Sequence, residues 1–108
     1  MTRVAAFVPD LIDRSRVETV CRSLGARLDV VDRVWELPAA VGEGAGLVIV
    51  DLQSPEALRA LEQLRGVKTI GFAPHVDRDL LRAARSGGCS RVMARSAFFS
   101  RLPELLSG

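Results

Sequence analysis

Leu47-Val48-Ile49-Val50-Asp51-Leu52-Gln53-Ser54-Pro55 is the stretch on which the reading of this chain turns. Four consecutive apolar residues, two of them valine and one isoleucine, read as a short strand buried on both faces. Ser54 is suited to cap a following helix, and Pro55 falls at its first position, where a missing N–H costs nothing. Open α/β folds place their chemistry at the carboxyl end of such a strand, just before a helix. Asp51 occupies that place and is the first candidate for function.

Working outward, the same alternation recurs. Val4 to Val8 reads as a first buried strand ended by Pro9-Asp10. Ser15 and Glu18 have capping-box spacing, and Val17, Val20, Cys21 and Leu24 form the i, i+3, i+4, i+7 stripe of a helix that Gly25 closes. Leu28 to Asp32 suggests a second strand, and Val34 to Val41 a short helix made irregular by Pro38. The glycine-rich run 42–46 is a turn into the strand carrying Asp51. After Ser54-Pro55, Leu58, Leu61 and Leu64 give a helix an apolar face, and Gly66 ends it. Val67 to Ala73 is a fourth strand stopped by Pro74. Asp77 caps a helix through Arg85, with Leu80, Leu81 and Ala84 inward, broken by Gly87-Gly88. Arg91 to Ala94 is a fifth strand. Ser96 then caps a last helix bearing Phe98, Phe99, Leu102, Leu105 and Leu106, which Pro103 kinks or restarts.

Five buried strands alternating with five helices imply right-handed crossovers and a parallel sheet. An open, doubly wound α/β sandwich of strand order 2-1-3-4-5 follows, a closed barrel needing more units. All strand C-termini then face one edge, and Asp10, Asp51, Ala73 and Arg95 gather there.

The 108 residues suit a single domain spanning 1–108, and 48% hydrophobic content supports a packed core. A net charge of +2 does not by itself imply nucleic acid. One lysine, Lys68, stands among arginines. Two cysteines, Cys21 and Cys89, match no zinc signature and are too few for a disulfide framework, which fits a reducing cytoplasm. No signal peptide or membrane-length apolar run is visible.

With these residues in place the chain resembles the receiver domains of bacterial response regulators, over nearly its whole length, with a flavodoxin-like fold. The resemblance makes Asp51 the phosphoacceptor, and Asp51-Leu52-Gln53-Ser54-Pro55 looks like the family's aspartate-leucine-x-x-proline run. It makes Asp10 one member of the family's acidic pair, whose other place is taken by Pro9. It puts Ala73 where a Thr or Ser ends strand 4, and Arg95 and Ser96 where a Lys-Pro pair ends strand 5. Gly88 fits a glycine before strand 5.

The departures have physical consequences. Asp10 and Asp51 are the carboxylates offered to Mg2+, and with a third lost the site is expected to be weak. Asp13, three residues on, is the substitute considered for it. Arg95 is planar and bidentate, and is placed to clamp Asp51 directly. Ala73 removes the hydroxyl that would contact a phosphoryl group. A cis bond before Ser96 would cost about 3 kcal/mol, so a trans bond and an altered loop are expected there.

The resemblance therefore implies a stand-alone, receiver-like (atypical or pseudo-receiver) signalling domain of the two-component or phosphorelay type. Its phosphorylation chemistry is degenerate, it is not an enzyme, and it acts through protein–protein contacts. Its partners would be a histidine kinase, a downstream protein, or a second copy through the face formed by helix 4, strand 5 and helix 5. On that face lie Arg78, Arg82 and Arg85, with Arg91 and Arg101 nearby. Phe98 and Phe99 are adjacent, so one is expected to be exposed there. Trp35 is expected to pack, with a partner-facing anchor as the alternative. His75 is read as a turn residue, Cys89 as a loop thiol without a clear cause for a lowered pKa, and Cys21 as core. The alternatives are a flavodoxin-like small-molecule site, which the acidic segment 9–13 disfavours, and a nucleic-acid-associated regulator, which lacks a stacking platform.

Overall fold

The computed structural model describes residues 2–107. Among them five strands and five α-helices alternate: β1 Arg3–Phe7, α1 Leu11–Leu24, β2 Arg27–Val30, α2 Leu37–Gly42, β3 Leu47–Asp51, α3 Pro55–Ala60, β4 Lys68–Ala73, α4 Arg78–Ser86, β5 Arg91–Ala94 and α5 Arg95–Ser107. A 3-10 turn, Val34–Glu36, precedes α2, and another, Leu61–Leu64, extends α3. The sheet order is β2-β1-β3-β4-β5 and every neighbouring pair is parallel. This is the flavodoxin-like arrangement expected from the apolar runs.

The two faces of the sheet are divided by strand alternation. Val4, Ala6, Ile49, Ile70 and Phe72 pack with Val17 and Cys21 of α1 and Phe98 and Leu102 of α5. Ala5, Val48 and Val50 pack on the other side with Leu37 of α2, Ala57 of α3 and Ala84 of α4. β3 is buried at all five positions, as a central strand covered on both faces must be. Each such Val or Ile contributes about 1.5–3 kcal/mol by leaving water, so the middle of the sheet is the firmest part of the frame.

Several boundaries differ from the sequence reading, for identifiable reasons. α1 begins at Leu11, ahead of the Ser15–Glu18 spacing, because the Asp10 carboxylate already accepts the Ile12 and Asp13 amides. Ser15 therefore lies inside the helix, where its carbonyl accepts the Thr19 hydroxyl. Ser96 is likewise not a cap: α5 starts at Arg95, directly after Ala94, and continues through Pro103 to Ser107. No peptide among the described residues is cis, as expected at Ser96, and the helix thus follows β5 without an intervening loop. Ser54 and Asp77 do cap α3 and α4, accepting the amides of Ala57 and Leu80. Gly25 closes α1 at φ 70°, the left-handed conformation that glycine adopts without strain.

The connection after β3 is wedged against β4. Leu52 is buried, and its amide donates to the Phe72 carbonyl at 2.8 Å. Its side chain fills the space above Gly71, where an added Cβ would collide with Leu52 Cδ1. No helix among the described residues is long and apolar enough to cross a membrane.

Candidate functional site

Parallel strands bring their C-terminal ends to one rim. Asp51 closes β3, Asp10 caps α1 three residues beyond β1, Ala73 closes β4, and Arg95 opens α5 after β5. Asp10 and Asp51 line one open cleft of about 250 Å3, together with Phe7, Pro9, Gln53 and Ser54. The two aspartates do meet at one edge, as the strand order requires.

Asp51 is 2% exposed. Its Oδ1 accepts the Gln53 amide at 3.0 Å and its Oδ2 accepts the Gln53 side-chain amide at 3.2 Å. One residue thus partners both oxygens. Burial is the main influence on this carboxyl and pushes its pKa up. The two bonds from Gln53 pull it down, and the negative charges of Asp13 and Asp10 push it up again. Asp10 is exposed and spends its Oδ1 on the two amides of the first turn of α1, at 2.9 Å each.

Arg95 does not clamp Asp51. Its guanidinium makes a two-pronged pair with Asp13, Nε donating to Oδ2 at 2.9 Å and the terminal nitrogen donating to Oδ1. Asp13 is 2% exposed and sits in the first turn of α1, on the side of the sheet that α5 shares. A charge buried that deeply needs a cation, and the planar fork of arginine matches a carboxylate edge to edge. The Arg95 pKa is raised first by its hydrogen bonds to Asp13 and then by that residue's charge, with smaller help from Asp10 and Asp51. Its guanidinium carbon also lies 5.5 Å from the Phe99 ring centroid, with Arg16 at 4.1 Å from the same ring.

The remaining positions are chemically quiet. Ala73 is buried and presents a methyl group. Thr69, the one hydroxyl residue of β4, lies toward the opposite end of the strand, where its amide donates to the Ser90 hydroxyl. No group of three or more His, Cys, Asp and Glu among the described residues has the arrangement of a metal site. Asp13 is held by Arg95, Asp51 by Gln53, and one Asp10 oxygen by the backbone, so the donors do not fit a dedicated Mg2+ site. His75 is exposed. Cys89 is buried, with Sγ 3.1 Å from the Arg91 carbonyl oxygen, and burial raises its thiol pKa. Cys21 is core, and burial raises its pKa too.

Two aromatic expectations are corrected. Phe98 and Phe99 are both buried. Phe98 stacks on Phe72 at 4.6 Å, while Phe99 meets Phe72 and Phe98 edge-on at 5.6 and 4.9 Å. α5 is covered by the sheet below and α1 beside it, so two successive side chains find apolar surroundings. Neither is exposed. Trp35, expected to pack, is 60% exposed, with Arg33 5.4 Å from its ring. Arg78, Arg82, Arg85, Arg91 and Arg101 are all exposed.

Sequence reasoning took Asp13 for a spare carboxylate and overlooked Gln53. A signal for Asp13 was present: it lies four residues before Val17 and eight before Cys21, on the inward stripe. A carboxylate on that stripe calls for a buried cationic partner.

Neither a protein-family model nor a curated protein sequence matches the chain. Solved structures do. A response regulator from Thermotoga maritima is 17% identical, with 100% of this chain and 99% of that one covered and a TM-score of 0.79. A response regulator from Hahella chejuensis is 19% identical, with 99% and 93% covered and a TM-score of 0.85. A chemotaxis protein from Vibrio cholerae is 13% identical, with 99% and 97% covered and a TM-score of 0.85. At such identities the likeness speaks for the fold.

Proposed function

We propose that this chain, which has the fold of response-regulator receiver domains, is a receiver-like signalling domain of the two-component type that works by protein–protein contact, with its phosphotransfer chemistry degenerate. The observation that carries the reading is the Arg95–Asp13 pair. The cation at the end of β5 is engaged with a buried carboxylate on α1 and is not free to meet a phosphoryl group on Asp51. Two further observations agree. Ala73 has no hydroxyl to draw toward Asp51, and Gln53 occupies both Asp51 oxygens. On this reading the domain turns over no substrate, resides in the cytoplasm and is recognised by a kinase or downstream protein through its surface.

The test is incubation with acetyl phosphate, or with beryllofluoride and Mg2+, of the wild-type chain and of Asp51→Asn. Intact mass and amide NMR shifts are the readouts. The expected result is no mass gain and no shifts centred on Asp51 in either protein. A phosphoryl mass gain in wild type that disappears in Asp51→Asn overturns the degenerate reading and restores Asp51 as an acceptor.

A further inference from the structure

β2 and β5 are the end strands of the sheet, and each leaves one edge open. On β2 the Arg27 amide donates to the Thr2 carbonyl and the Val31 amide to the Ala6 carbonyl, both at 2.9 Å. Successive residues of a strand alternate in this respect, so Leu28 and Val30 turn their N–H and C=O groups away from β1, toward the open edge. Such a row of backbone groups is a template for another strand. Beside it, on the α1 side of the sheet, runs a groove of about 420 Å3 lined by Glu18, Cys21, Arg22, Ala26, Leu28 and Val30. Leu28 and Val30 are half-buried, and Leu24, the last residue of α1, is 44% exposed.

We infer that the β2 edge pairs with the β2 edge of a second copy of this chain, antiparallel about a two-fold axis at Leu28, to make one continuous sheet. The occupant is argued from charge. β2 contains Arg27-Leu28-Asp29, whose charges complement their own reverse. With Leu28 opposite Leu28 of the second copy, the two residues exchange both backbone hydrogen bonds, their Cα atoms about 5.5 Å apart. Arg27 then stands opposite Asp29 of the second copy, and Asp29 opposite its Arg27, all on one face. Asp29 also lies 3.8 Å from Arg3, so each carboxylate sits between two cations. An axis at Arg27 or Asp29 would oppose like charges, and one at Val30 would oppose Arg27 to Arg33. The charges therefore select a single register. α1 repeats the pattern independently. Glu18 and Arg22, four residues apart, both border the groove, and the same two-fold axis reverses the helix so that Glu18 faces Arg22 of the second copy. The other open edge has no such match: β5 reads Arg91-Val92-Met93-Ala94, one cation and no carboxylate. The inference concerns α1 and β2 alone and does not depend on the chemistry of Asp51.

The experiment is sedimentation equilibrium of the intact chain from micromolar to millimolar concentration, with Arg27→Asp, Asp29→Arg and an equal mixture of the two. Wild type is expected to pass from monomer to dimer as concentration rises. Arg27→Asp opposes aspartate to aspartate and Asp29→Arg opposes arginine to arginine, so each alone is expected to dimerise at least tenfold more weakly. In the mixture every opposed pair is again of unlike charge, and association is expected to return to within about threefold of wild type. Arg27 is exposed, so Arg27→Asp is expected to melt as wild type does. Asp29→Arg loses its contact with Arg3, and amide NMR of the wild-type chain makes the test independent of that variant. There, dilution from the dimer is expected to move the shifts of β2 and α1 and to speed hydrogen exchange at the Leu28 amide. A chain that stays monomeric at millimolar concentration overturns the inference. So does a dimer indifferent to Arg27→Asp, or one whose concentration-dependent shifts fall on α4 and β5. The acetyl phosphate experiment reads Asp51 and this one reads β2, so either can fail while the other stands.

Discussion

Asp51 shows how one position is pulled two ways. Burial and the nearby charges of Asp10 and Asp13 disfavour its ionised form, while Gln53 supports it, with the balance toward a raised pKa. A carboxyl with a higher pKa folded than unfolded binds more protons in the native state across that interval. Stability therefore falls as pH rises through it, and the ionised form is the less favourable one at neutral pH. Asp51→Asn keeps one acceptor oxygen for the Gln53 backbone amide, turns an NH2 toward the Gln53 side chain, which rotates to present its oxygen, and removes the charge. It is expected to raise stability at pH 7–8 by on the order of 1 kcal/mol, or ~4–8 °C in a domain of this size. The gain should vanish in acid, where the wild-type carboxyl is protonated; thermal melts at both pH values check this. The fate of Arg95 shows what could not be read from the chain. Asp51 and Asp13 were both carboxylates near the same rim, and local pattern does not say which of them an arginine distant in sequence will grip. The choice depends on which side of the sheet α1 and α5 share.

At the level of elements, local chemistry carried further. Continuous apolar runs located the parallel strands, because a strand covered on both faces has no polar alternation to blur it. Ser54 and Asp77 were legible as caps since each stands just before a periodic helical stretch. Asp10 was legible as a rim residue and not as a cap, because Pro9-Asp10 also reads as a strand ending and Ser15–Glu18 offered a competing start. The structure makes a quantitative claim about it. Asp10 accepts two amides of α1, so Asp10→Ala is expected to cost about 1 kcal/mol in urea unfolding, and Asp10→Ser much less. An Asp10 retained only as a metal ligand would show no such difference. α5 gave the opposite lesson. Two adjacent phenylalanines on a helix normally diverge, yet a helix lying in the angle between a sheet and a neighbouring helix buries both.

For the molecule as a whole, the sheet order followed from a small set of rules, while the surface did not. Trp35 exposed and Phe99 covered are outcomes of how layers close, and no window of residues encodes them. The closed core makes its own prediction about reactivity. Cys21 and Cys89 are 1% and 7% exposed, and burial raises both thiol pKa values. Neither should react with a thiol-specific disulfide reagent in the native state. Both should titrate in denaturant, with labelling that follows global unfolding rather than a local opening. Rapid modification of either in native buffer would show that its layer opens independently. The seat of Leu52 over Gly71 has a separate consequence. The backbone leaving Asp51 is braced from the neighbouring strand by a residue with no side chain, so a single methyl at Gly71 would prise that loop upward without altering any charge. Shape and electrostatics at the acidic cleft can thus be perturbed one at a time, through two positions that never touch each other's chemistry.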